Sequence, residues 1–116
     1  MHWEFLSELN VHLIKGLCDL LGLGRIRTVL SSELEVSEEP TDRLIDICES
    51  LKGDNYLSGR DGANYLTVER FHERRIRLLF QDYKHPVYPQ LYGNFQSHLS
   101  VVDLLFNCGT DSLKVI

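Results

Sequence analysis

The sequence predicts an α/β fold, with a small parallel three-stranded sheet and flanking helices that form part of a larger α/β domain. Three observations carry this reading. Apolar residues recur at three- and four-residue spacing in separate stretches, as one face of a helix requires. Short apolar runs bounded by glycine, serine or asparagine lie between those stretches, as strands do. The strand–helix–strand spacing is that of βαβ units, which favour parallel strands and a right-handed crossover. At 116 residues the chain is a single domain or a portion of one.

Leu6, Leu9, Leu13, Leu17 and Leu20 share one face of a first helix, which Gly22 and Gly24 end. An α/β domain usually opens on a strand, and this sequence opens almost inside a helix. It is therefore expected to lack an N-terminal portion. Arg25–Leu30 reads as the first strand, and the acidic, aperiodic segment Ser31–Pro40 as a loop. A helix over Thr41–Leu51 places Leu44, Ile45, Cys48 and Leu51 in a core stripe; Pro40 and Thr41 mark its start, Lys52 and Gly53 its end. Asn55–Ser58 is the second strand. A helix from Thr67 to about Arg75 turns Val68 and Phe71 inward, and Ile76–Phe80 is the third strand, with Ile76, Leu78 and Phe80 on one face. Residues Gln81–Gly93, with two prolines and three tyrosines, form a loop. Ser100 caps a last helix, Asp103 reaches back to complete a capping box, and Gly109 closes it. Three strands make a thin sheet whose edges call for cover from further chain or from a second copy in a homodimer.

The formal charge of −5, from 12 basic and 17 acidic residues, argues against non-specific nucleic-acid binding. One cluster runs the other way: Arg70, Arg74, Arg75 and Arg77 form either a solvated helix end and strand face or an anion clamp. No run reaches the roughly 18–20 apolar residues of a membrane span. The start, MHWEFLSELN, has neither the basic residues nor the cleavage site of a signal peptide. Cys18, Cys48 and Cys108 are odd in number and widely spaced, which fits a reducing cytoplasm. The histidines at 2, 12, 72, 85 and 98 show no metal-ligand spacing, so no metal is expected, and no cofactor is identified.

In parallel α/β sheets ligands gather at the carboxyl ends of the strands. Two loops fall there. In Ser58-Gly59-Arg60-Asp61-Gly62-Ala63-Asn64-Tyr65 the glycines either let backbone N–H groups approach a phosphate or carboxylate, or simply make a turn. In Gln81–Gln90, Asp82 and His85 are candidate proton-handling residues, while Tyr83 and Tyr88 offer rings to a sugar or base. A proline-stiffened loop packing its tyrosines on the sheet edge explains the same residues without a ligand. Catalytic candidates are thus Asp82 and His85. Substrate-binding candidates are Ser58, Gly59, Arg60, Gly62, Tyr65, Tyr83, Tyr88, Gln90 and Asn107, of which Asn107 also reads as a helix-end residue.

YLSG at 56–59, NYL at 64–66, FQDYKHPVYPQLYGNF at 80–95 and LSVVDLLFNCG at 99–109 together resemble the WbqC-like proteins of bacteria and archaea. ELN at 8–10, SSEL at 31–34 and TDRLIDIC at 41–48 fit the same pattern, so the resemblance covers nearly the whole chain. It implies the C-terminal half of a family member, without the histidine-glutamine-proline segment of the N-terminal part. It further implies a place in O-antigen or other surface-polysaccharide synthesis, with transfer of a glycyl or other acyl group onto a sugar. The residues leave two readings open: a transferase acting on an activated sugar or other small molecule, or a non-catalytic module presenting Tyr83, Pro86, Tyr88 and Pro89 to a partner or saccharide.

Overall fold

A computed structural model describes residues 2–116. The chain divides into two compact units: a central unit, Thr28–Tyr83, and a terminal unit made of residues 2–27 with Lys84–Ile116.

The central unit holds helix α2 (Pro40–Ser50), strand β1 (Asn55–Ser58), helix α3 (Val68–Glu73) and strand β2 (Arg77–Phe80). β1 and β2 pair in parallel, Asn55 opposite Arg77 and Ser58 opposite Phe80, with α3 as the crossover. Two parallel strands are marginal alone; α2 packs on β1 and α3 on β2. Ile45, Cys48, Leu66, Phe71 and Ile76 make the core, with Leu44, Tyr56 and Leu78 against it. Phe71 is fully buried and stacks on Tyr56, ring centres 5.6 Å apart. Burial pushes the Tyr56 phenol and the Cys48 thiol above their ordinary pKa values, so both stay neutral in the core.

The helix ends explain why the elements stop where they do. In α2 the Glu39 carboxylate accepts from the Asp42 N–H at 2.7 Å, with Pro40 in the first helical position. At the other end Gly53 N–H reaches Cys48 O at 2.7 Å and Lys52 N–H reaches Glu49 O at 2.9 Å, a Schellman closure. α3 closes the same way through Ile76 to Phe71 and Arg75 to His72. The left-handed positions are Lys52 and Arg75, both at φ 57°, although glycine is the residue that suits them. Thr41, buried, accepts the Thr67 N–H at the start of α3.

The predicted first strand is absent among the described residues. Arg25–Leu30 is irregular and the sheet has two strands, not three. Ile26 and Leu30 are exposed and no strand among the described residues pairs with the segment, so it lacks both the ladder and the buried face that hold a strand. The fold is mixed α/β with a two-stranded parallel sheet joined by the crossover β1–α3–β2.

The terminal unit holds α1 (Leu6–Leu20), α4 (Val101–Cys108) and the short α5 (Ser112–Val115). α1 forms over the predicted span and ends in a Schellman closure at Gly22, but none of its residues is buried and Leu6, Leu13 and Leu20 stay exposed. α4 buries Leu104 and turns at Gly109, φ 51°. Buried Ser112 then donates to Gly109 O at 2.7 Å, fixing α5. No helix among the described residues is long and apolar enough to cross a membrane.

Candidate functional site

The terminal unit gathers polar side chains around one residue, Asp103. Ser100 caps α4, its hydroxyl accepting the Val102 N–H at 3.2 Å. Asp103 does not complete the predicted capping box. Its carboxylate is turned instead to the preceding loop, where it accepts the Tyr88 hydroxyl at 2.8 Å and the Gln90 amide at 3.0 Å on Oδ2, and the Asn107 amide at 3.2 Å on Oδ1. The cap fails because three side-chain donors outcompete one exposed backbone N–H. Asn107 also donates to Asp103 O and accepts the Leu91 N–H at 3.0 Å, so its two ends tie α4 to the loop.

Gln90 closes that loop. Its amide donates to Gln96 O at 3.0 Å and its carbonyl accepts the Gln96 N–H at 2.8 Å, a backbone-like pair across six residues. Gly93, at φ 67°, makes the turn between them. The loop and α4 then border an open groove of about 420 Å³ lined by Gln90, Leu91, Tyr92, Gln96, Leu99, Asp103, Phe106 and Asn107. That volume falls within the roughly 300–1,000 Å³ of small-molecule sites. Tyr92 and Phe106 line it while 83% and 86% exposed.

Tyr88 is 5% exposed and offers its hydroxyl, not a ring face, to this assembly. Burial and its hydrogen bond to Asp103 raise its pKa, keeping it a donor. Its ring meets Phe95 edge-on at 5.4 Å. His85 lies beside both rings and 4.9 Å, centre to centre, from His98, a residue at φ 61°. His85 Nδ1 is 2.8 Å from Pro86 O; a carbonyl only accepts, so Nδ1 donates to it.

The other predicted residues belong to the central unit. Gly59 and Gly62 bracket a tight 3₁₀ turn, Arg60–Asn64, in which Gly62 N–H bonds Gly59 O. A Cβ on Gly62 would collide with Ser58 Oγ, so glycine is required by packing and Ser58 is buried beneath it. Arg60 pairs with Asp82 at 3.4 Å, their side chains 70% and 80% exposed, and donates to Tyr83 O; Tyr65 is exposed. In the arginine cluster, Arg70 is paired with Glu39 and Asp42, and Arg74 grips Glu49 with two bonds, so these two serve the fold.

Of the candidates, therefore, Tyr88, Gln90 and Asn107 converge on one carboxylate. Ser58, Gly59, Arg60, Gly62, Tyr65, Asp82 and Tyr83 sit in the other unit. Asp103 reads from the sequence only as a cap, and Tyr92 and Phe106 are not among the candidates. Asp103, Phe106 and Asn107 stand at i, i+3 and i+4 on one helix face, and a phenylalanine on the polar face of α4 was the available signal.

The WbqC-like protein family matches residues 1–115. This chain belongs to the WbqC-like family. It is similar to the uncharacterized protein Rv1507c of Mycobacterium tuberculosis, at 34% identity over 108 residues, covering 92% of this chain and 46% of that protein. The chain thus spans about half the length of the curated relative it matches. No solved structure matches it significantly.

Proposed function

We propose that this WbqC-like chain provides the saccharide-acceptor seat of a transferase that places a glycyl or other acyl group on a sugar during surface-polysaccharide synthesis. The observation that carries the reading is the groove of the terminal unit. It combines two exposed aromatic rings, Tyr92 and Phe106, with the fixed polar groups of Gln90, Asp103 and Asn107. Pyranose rings present apolar C–H faces and a rim of hydroxyls, and such a lining meets both. The preformed network lowers the entropy cost of binding. In this reading His85, which belongs to the same unit as the groove, is the residue proposed to handle the proton of the transfer.

A second reading, a non-catalytic saccharide-binding module, is favoured by one feature: no serine, cysteine, lysine or histidine lines the groove. The test is acyl transfer by the full-length protein from an activated acyl thioester to a panel of monosaccharides. In the transferase reading Phe106→Ala lowers turnover about tenfold, and His85→Ala abolishes it with the fold intact by circular dichroism. Wild-type saccharide binding without turnover from any donor would favour the module. Turnover unchanged in Phe106→Ala would remove the groove from either role.

A further inference from the structure

Asp103 is distinguished among the carboxylates of the terminal unit by its surroundings. From His85 to Leu113 the sequence contains no lysine or arginine. The five ion pairs among the described residues all lie elsewhere. The three side chains that bond Asp103 (Tyr88, Gln90 and Asn107) are neutral donors, so they fix the carboxylate without compensating its charge. A carboxylate has about four acceptor positions. Oδ2 takes two donors and Oδ1 one, which leaves Oδ1 able to accept another. The donors orient the carboxylate but bring no positive charge to it, and an ammonium on Oδ1 would add a charge-assisted hydrogen bond.

The second observation is independent. Tyr92 and Phe106 present their rings at the same groove while almost wholly exposed, an arrangement that contributes little to the fold. The faces of aromatic rings carry negative potential and attract ammonium groups. Leu91 and Leu99 add apolar wall beside them.

Building on the acceptor role proposed above, we infer that the groove selects an amino sugar, with the ammonium on Asp103 and the pyranose ring against Tyr92 and Phe106. A neutral sugar would leave the carboxylate uncompensated, and a simple amine would leave the aromatic walls bare.

The test is titration calorimetry of the full chain with D-glucosamine, N-acetyl-D-glucosamine, D-glucose and putrescine, repeated on Asp103→Asn and Phe106→Ala. Glucosamine is expected to bind about tenfold more tightly than its N-acetyl form or glucose, the scale of a charge-assisted contact. Asp103→Asn should erase that preference, and Phe106→Ala, at an exposed position that leaves the fold intact, should weaken glucosamine roughly two- to fivefold. Among the sugars, added salt should weaken glucosamine alone. Equal affinity for glucose and glucosamine overturns the inference while leaving the acceptor role standing. Putrescine binding as tightly as glucosamine also overturns it, because the site then reads charge without a sugar. No binding of any sugar removes the acceptor role itself. Should Asp103→Asn fail to fold, the ligand series on the unaltered chain and on Phe106→Ala still decides.

Discussion

The two units spend their residues differently. In the central unit the side chains that matter face inward: Phe71, Ile45 and Ile76 are buried, and the arginines of α3 and its C-terminal end close onto carboxylates of α2 and its N-cap. In the terminal unit α1 buries nothing, aromatic rings stand in solvent, and a carboxylate is bonded to a phenol and two amides. One closes its side chains onto each other; the other leaves rings and a bonded carboxylate at its surface. The glycine-rich turn teaches the same lesson: it has the composition of an anion loop, yet Gly62 answers to the packing of Ser58 within a 3₁₀ bend.

The largest expected effect tests the stability side. Phe71→Ala should cost about 3–5 kcal/mol in denaturant unfolding, since a fully buried ring leaves a cavity among Ile45, Tyr56 and Leu66. A loss near zero would mean the central core is not the stabilising element. Gly62→Ala follows at about 1–3 kcal/mol, because the new methyl must displace the buried Ser58 side chain. Combining it with Ser58→Ala should recover part of that loss; identical costs in both backgrounds would contradict the packing explanation.

Gln90→Ala probes the other side of the comparison. It removes the bonds that close the loop and one donor to Asp103. Its stability cost should be smaller than that of Phe71→Ala, while hydrogen exchange at Gln96 N–H should speed up roughly tenfold or more as its acceptor is lost. Unaltered exchange there would show that the loop does not depend on Gln90.

Lys52→Gly should stabilise by up to about 1 kcal/mol, since glycine occupies the left-handed position without the Cβ clash that lysine carries. The smallest effect is one of pH. Hydrogen bonds from the Ser37 hydroxyl and N–H hold the Asp46 carboxyl below its ordinary pKa. The folded state therefore favours the ionised form; that contribution is present above the unfolded carboxylate pKa of about 3.9 and fades as pH falls through the folded value. Ser37→Ala should flatten this part of the stability–pH curve between about pH 5 and 2, as thermal melts would record, and a curve superimposable on the parent's would contradict the linkage.

Much of the fold was legible in the sequence because its signals are local. The leucine spacing of α1, Pro40 at the start of α2 and the apolar Arg77–Phe80 run are set by neighbours in the chain. The failures are tertiary. Arg25–Leu30 has strand composition but finds no partner, and Asp103 has a capping position but finds better donors in Tyr88 and Gln90, 15 and 13 residues away. Of the site, the sequence offered Tyr88, Gln90 and Asn107 as separate candidates. That they meet on one carboxylate depends on the return of the loop, which no local pattern encodes.

The most direct measurement is amide chemical-shift mapping by NMR as glucosamine is added to the full chain. Perturbations are expected to concentrate at Gln90–Gln96 and Asp103–Asn107, with the central unit silent. Shifts centred instead on Ser58–Tyr65, or none at saturating sugar, would contradict the placement of the ligand site in the terminal unit.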